Sequence, residues 1–278
     1  VAVDGSSDIN KIPKNIFWKA FARNYNVTIE GVTKGVWQHI WDDYFKDVVL
    51  ATKDYKSTIG YELLNEPMDA VDNITTIEYQ GLGNYYSFIA QNIRQLIPSA
   101  DDKAIYFSEM ISWRHNDTQI NSVYPDLVGK SAQYKKAELT ARLLLPRTAD
   151  GQIINNIVFS NTEYGKNGTF STGQINQYNE YDRVFNNLKQ KYPTVNLQTV
   201  FTEINEQDPA QGGIEPTTNM FVNYLTILKE RRYGWFYFNY DPNYPWSIKD
   251  SNYNDRKNSQ GITYKKILMS AIQTVYRI

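Results

Sequence analysis

Two glutamates in this 278-residue chain stand where a carboxyl group could work on a bond. Glu66 closes the run Gly60-Tyr61-Glu62-Leu63-Leu64-Asn65 and is followed by Pro67, which biases it away from helical geometry and marks a loop. Glu203 follows Val200-Phe201-Thr202, again at the end of an apolar run. Such a pair is what cleavage of a glycosidic bond with retention requires. One carboxylic acid protonates the leaving oxygen, and one carboxylate attacks the anomeric carbon from the opposite side at a separation of about 5–5.5 Å. A generic strand-end glutamate is usually just solvated or caps a helix. Here Asn65 can hydrogen-bond the hydroxyl beside an anomeric carbon, and the apolar residues before Glu203 suggest a pointed, partly buried side chain.

Carboxylates so far apart in sequence need a scaffold that brings strand ends together. The segment 35–53 is amphipathic at helical spacing through Val36, Trp37, Ile40, Trp41, Tyr44, Phe45, Val48 and Val49. Strand-like runs then alternate with helical ones: strands at 59–64, 104–107, 154–159, 197–201 and 233–238, and helices at 82–96, 175–192, 217–230 and 262–275, with a mixed helix and loop stretch at 123–144. Five strands each followed by a helix predict a parallel sheet with helical crossovers. Glu66, Glu109, Glu163 and Glu203 all fall at or just past predicted strand ends, which a closed barrel gathers at one mouth. No G-x-G-x-x-G or P-loop favours an open nucleotide-binding sheet. The expected class is therefore α/β, a (β/α)8 barrel, with residues 1–278 as one C-terminal portion carrying roughly strands 4 to 8. Residues 1–34 read as polar and irregular, too little for three βα units, so a companion polypeptide fragment is expected to complete the barrel and cover the open strand edges.

Composition narrows the partners. The net charge is −1 and no basic patch stands out, so nucleic acid is not favoured. There is no cysteine, and the two histidines have no ligand spacing around them, so neither a metal nor another cofactor is expected. His39 on its helix face reads as structural, with nothing acidic spaced to meet it. Asp241 and Asp250 lack a calcium-loop pattern and read as loop carboxylates. No stretch approaches a membrane span. Asn-x-Thr sequons at Asn26, Asn73, Asn116 and Asn167 permit a glycoprotein, and the expected location is secreted or lysosomal/vesicular. The 22 tyrosines and 6 tryptophans suit either a core or a sugar-stacking surface. Trp235, Phe238 and Trp246, in and after the aromatic strand at 233–238, are candidate sugar or lipid contacts, and Tyr240 to Trp246 are expected in a mouth loop.

GYELLNEP at 60–67 resembles the strand-4 motif of glycoside hydrolase family 5, and VFTEIN at 200–205 resembles its strand-7 motif. The likeness runs over roughly 35–278, and the wording of 59–67 with the segment 85–110 is most similar to the endoglycoceramidase branch. The resemblance implies a retaining endo-β-glycosidase of a glycolipid or oligosaccharide, with Glu66 as acid/base, Asn65 beside it and Glu203 as nucleophile. It also implies that Tyr164, in FSNTEYG, hydrogen-bonds the nucleophile. The chain departs from the pattern in three places. Asn161-Thr162-Glu163 stands where the family has a histidine before that tyrosine. Phe238 stands where it has a strand-8 tryptophan. The arginine and histidine of strands 2 and 3 have no counterpart. These departures leave an alternative: a catalytically impaired barrel that serves as a structural or carbohydrate-binding protein.

Overall fold

The computed structural model describes residues 14–67, 73–98, 103–110, 115–238 and 245–277. By the density of its internal contacts the chain divides into two compact units, residues 1–159 with 183–197 and residues 160–182 with 198–278.

The first unit opens with helix α1 (Lys14–Ala22) and an antiparallel hairpin, β1 (Asn26–Ile29) and β2 (Val32–Gly35). This corrects the expectation of an irregular segment up to residue 34. Phe17, Trp18 and Phe21 supply an aromatic cluster, and the Phe21 ring meets that of Tyr85 at a tilt, with centroids 4.8 Å apart. Glu30 and Gly31, both at positive φ (50° and 79°), make the two-residue turn that matches the twist of a hairpin. A single helical rod follows: α2 (Val36–Ile40), a π-helical turn (Trp41–Phe45) and α3 (Lys46–Thr52).

Strand β3 (Gly60–Glu62) pairs in parallel with β4 (Ala104–Ser108), Tyr61 opposite Ile105. Between them lies α4 (Thr76–Leu96), which starts six residues before the apolar pattern does because a capping box sets its first turn: the Thr75 hydroxyl accepts from the Ile77 amide while Glu78 receives the Thr75 amide at 2.9 Å. Tyr79, Leu82, Tyr85, Tyr86, Ile89 and Ile93 on its inner face are fully buried. Helix α5 (Asp117–Val123) precedes the mixed stretch, which resolves into a 3-10 turn (Pro125–Leu127) and α6 (Ala132–Leu139), the latter running on into a π-helical turn. Phe107 and Phe159 meet at 5.6 Å in the centre of this unit.

The second unit holds most of β5 (Ile157–Gly165) and of α7 (Thr172–Lys191), then β6 (Leu197–Glu206), α8 (Thr218–Glu230), β7 (Gly234–Tyr237) and α9 (Tyr264–Tyr276). Its core joins Tyr178, Phe201, Ile204, Phe221, Tyr224, Leu225, Leu228, Tyr264, Ile267 and Ala271. Strands β6 and β7 are parallel, with a register irregularity between Phe201 and Ile204, the stretch that carries Glu203. The sheet order is β3-β4-β5-β6-β7, as strand–helix alternation predicts. Strands β5 and β6 extend well past the apolar runs at 154–159 and 197–201, so Glu163 and Glu203 belong to the strands rather than to loops beyond them.

Candidate active site

In the first unit, the turn after β3 presents Glu66. The Leu63 amide donates to the Tyr106 carbonyl at 3.0 Å, and the Leu63 carbonyl accepts from the buried Tyr85 hydroxyl at 2.8 Å, so α4 and β4 together fix where the strand ends. Asn65 is exposed, Glu66 half-buried and Pro67 buried. Glu66 has φ of 44°, a left-handed conformation that few non-glycine residues adopt and that tends to cluster where function over-determines the backbone. The Ser108 hydroxyl, at the end of β4, donates to the Glu62 carboxylate at 3.2 Å. Just past it, Glu109 is buried and pairs with buried Lys136 at 3.1 Å; burial raises its carboxyl above the usual range, against the pull of Lys136. That pairing makes Glu109 part of the packing rather than a reagent.

In the second unit, the Tyr164 hydroxyl on β5 donates a hydrogen bond to Oε2 of Glu203 on β6. Both side chains are half-buried. A hydroxyl donated to a carboxylate favours its ionised form, which is the form a nucleophile needs. Phe238 meets the Tyr164 ring edge-on, with centroids 5.9 Å apart. Glu163, next in line, accepts from Gln174 Nε2 at 2.8 Å, and the same amide donates to the Tyr164 carbonyl at 3.0 Å.

The aromatic candidates divide. Phe238 stands in the Tyr164–Glu203 group. Trp235 packs against the α8–α9 core and donates its indole N–H to the Tyr276 hydroxyl at 3.0 Å. Trp246 is partly buried against the same core; its indole donates to the Gln207 carbonyl at 2.7 Å. Tyr240, Asp241 and Tyr244 lie outside the described residues. His39 is buried as expected of a structural histidine, but an acid does meet it. Asp43, one turn on, bonds its Nδ1 at 2.7 Å, and Nε2 faces the Val27 carbonyl at 3.1 Å. The i, i+4 spacing that joins them was present in the sequence.

Glu206 was not singled out by the sequence reading. It is fully buried on β6 and accepts from the amides of Asn167 and Gly168 and from the Tyr224 hydroxyl. A cavity of about 710 Å³ in the first unit runs along α4 past Gln80, Asn84 and Gln91 and includes none of the candidate residues. Among the described residues no cluster of three or more His, Cys, Asp or Glu could hold a metal ion, and no helix is long and apolar enough to cross a membrane.

No curated protein matches the chain. Among solved structures, it is similar to a glycoside hydrolase family 5 enzyme from Prevotella bryantii B14, at 15% identity and a TM-score of 0.50, over 87% of this chain and 64% of that one. It is also similar to a variant of an endo-β-1,4-glucanase from Xanthomonas axonopodis pv. citri, at 17% identity and a TM-score of 0.48, over 83% of this chain and 63% of that one. The chain thus spans less than two thirds of the length of these relatives. The Prevotella structure agrees with the strand–helix alternation: β3 to β7 are strands 4 to 8 of a (β/α)8 barrel. The family model for cellulase, glycosyl hydrolase family 5, matches residues 25–244, from the β1–β2 hairpin to beyond β7 and across both glutamates. On that match over most of its length, the chain belongs to glycosyl hydrolase family 5.

Proposed function

We propose that this chain carries the catalytic glutamates of a retaining endo-β-glycosidase that acts on a glycolipid or oligosaccharide, as in the endoglycoceramidase branch of its family. The observation that carries this reading is the hydrogen bond from Tyr164 to Glu203. A phenol donated to a carboxylate at the end of a barrel strand keeps that carboxylate ionised and aimed, which is the state from which it attacks an anomeric carbon. Glu203 forms the glycosyl-enzyme. Glu66 gives its proton to the leaving oxygen and later takes one from water. Asn65 holds the neighbouring sugar hydroxyl, and Phe238 offers the apolar surface beneath the ring. Trp235 and Trp246, whose indoles are engaged by Tyr276 and Gln207, contribute to packing in this reading. No cofactor is called on, because side chains supply both the proton and the attack. The barrel strands before β3 come from polypeptide other than the five strands described, joined to this chain or separate. A glycan substrate is supported by the Prevotella enzyme, a mutant of which was solved in complex with a xyloglucan tetradecasaccharide. The four sequons support a secreted or vesicular location.

Incubation with a 2-deoxy-2-fluoro β-glycoside followed by peptide mass spectrometry tests the assignment. A covalent sugar on Glu203 is the expected result. Saturable binding without labelling would favour the catalytically impaired, carbohydrate-binding alternative. Glu203→Gln should abolish turnover of an aryl β-glycoside. Glu66→Gln should slow substrates with poor leaving groups by about 10²–10⁴-fold and spare activated ones. Unchanged hydrolysis by the Glu203 variant would end the assignment.

A further inference from the structure

Double displacement uses Glu203 and leaves Glu206, three residues on, without a task. Yet Glu206 sits among several donors. It is fully buried, and its oxygens accept from the backbone N–H groups of Asn167 at 2.6 Å, Gly168 at 3.3 Å and Ile214 at 3.4 Å, and from the Tyr224 hydroxyl of α8. Asn167 and Gly168 form the tight turn after β5, both at positive φ (55° and 76°), so their amides point together into the protein and make an anion-accepting nest.

The Tyr224 hydroxyl also packs against Gly165. A side-chain carbon on Gly165 would fall far inside contact distance of that oxygen, so only glycine leaves room for it. Gly165 adjoins Tyr164, and adjacent strand residues face opposite sides of a sheet. On one side the strand is held by Tyr224 and Glu206; on the other it presents the Tyr164 hydroxyl to Glu203. The backbone is tied at the same point, where the Gln207 amide donates to the Gly165 carbonyl at 2.9 Å.

We propose that Glu206 and Tyr224 are positioning residues for the nucleophile: they clamp β5 at Gly165 and thereby set how the Tyr164 hydroxyl meets Glu203. The clamp rests on the reading of Glu203 as nucleophile for its purpose, though not for its existence. Freed of it, the end of β5 can rotate, the Tyr164 hydrogen bond lengthens, and the Glu203 carboxylate loses part of what favours its charged form. Among the described residues, the titratable groups that β5, its turn, β6 and β7 bring to this stretch include Glu163, Tyr164, Lys166, Glu206 and Tyr237.

The test follows the Glu203 carboxyl carbon by ¹³C NMR through a pH titration, its signal assigned by its loss in Glu203→Gln. Four proteins are compared: wild type, Tyr164→Phe, Tyr224→Phe and the double variant. Tyr164→Phe should raise the Glu203 midpoint. Tyr224→Phe should raise it in the same direction by less, and the double variant should match Tyr164→Phe alone. A purely structural role for Tyr224 would lower the melting temperature and leave the midpoint in place. That result, or shifts that add in full in the double variant, overturns the proposal. Should Tyr224→Phe fail to fold, Glu206→Gln, which keeps a carbonyl acceptor in the nest, is read by the same criteria. Hydrolysis of an aryl β-glycoside by the wild type is measured alongside. An inactive wild type with the coupling intact would refute the glycosidase reading and leave the clamp standing.

Discussion

Tyr164 and Glu203 form the residue-scale centre of the second unit, and their hydrogen bond sets a sign. Removing the phenol in Tyr164→Phe takes a donor from the charged carboxylate, so the apparent pKa of Glu203 rises. The acid limb of kcat/KM should move to higher pH, with little change at the optimum, in a pH profile taken on an aryl β-glycoside. His115 carries the opposite kind of shift. Burial, helped by the nearby Lys136 charge, pushes it down to about 4 from the ordinary 6.5, and its Nε2 faces the Tyr79 hydroxyl at 3.1 Å. The unfolded chain therefore binds a proton between pH 6.5 and 4 that the folded chain refuses, and stability falls as pH drops through that window. His115→Gln should flatten that part of a plot of unfolding free energy against pH. An unchanged slope would show that other groups set it. Glu66, Glu203 and Tyr164 were singled out in the sequence by motifs that resemble those of the family, and the structure joins Tyr164 to Glu203. Glu206 was not, because a carboxylate in TEINEQ carries no mark of the turn and helix, 18 to 39 residues away, that supply its donors.

At the scale of elements, α4 owes its start to the Thr75–Glu78 box. Thr75→Ala removes the hydroxyl that accepts from the Ile77 amide and should cost about 1 kcal/mol in urea unfolding. Glu78 is itself buried and lies 3.4 Å from Arg23, which ties the box to the segment after α1. The box was readable as Thr-x-x-Glu, yet hydrophobic periodicity alone places the helix start at 82, because Thr76 to Gln80 offer few apolar side chains. The same limit hid the ends of β5 and β6. Ser160-Asn161-Thr162-Glu163 is polar and Thr202-Glu203-Ile204-Asn205-Glu206 has a single apolar residue, so a search for apolar runs ends each strand before them. They stay extended because the sheet and buried hydrogen bonds, not apolar burial alone, hold them. One of these bonds is donated by the Asn205 side chain to the Phe238 carbonyl. The β1–β2 hairpin went unread for the complementary reason: NVTI and VTKG are exposed and weakly apolar, and their signal was the Glu30-Gly31 turn.

At the scale of the molecule, five βα repeats, glutamates at four predicted strand ends and the absence of a phosphate-binding glycine turn pointed to the barrel class before any coordinates. The family match then gave the chemistry its setting. What periodicity could not carry was the strand numbering. The number came from a motif instead: GYELLNEP, which opens with the three residues of β3, resembles the family's strand-4 sequence. The surface offers a separate check on location. Asn26, Asn73 and Asn167 are exposed, whereas Asn116 accepts from the Gln119 amide to cap α5. Expression through a eukaryotic secretory route should yield protein whose mass falls on treatment with peptide N-glycosidase, with Asn167 among the sites converted to aspartate. A mass equal to that of the bare polypeptide would argue against the secreted assignment.

The Glu206 nest has a dynamic corollary. Amides from two loops, those of Asn167, Gly168 and Ile214, converge on one carboxylate, so none of them can reach solvent without releasing the others. The two loops should breathe together: their protons should trade for deuterium at one common rate, slower than that of the surface turns around them.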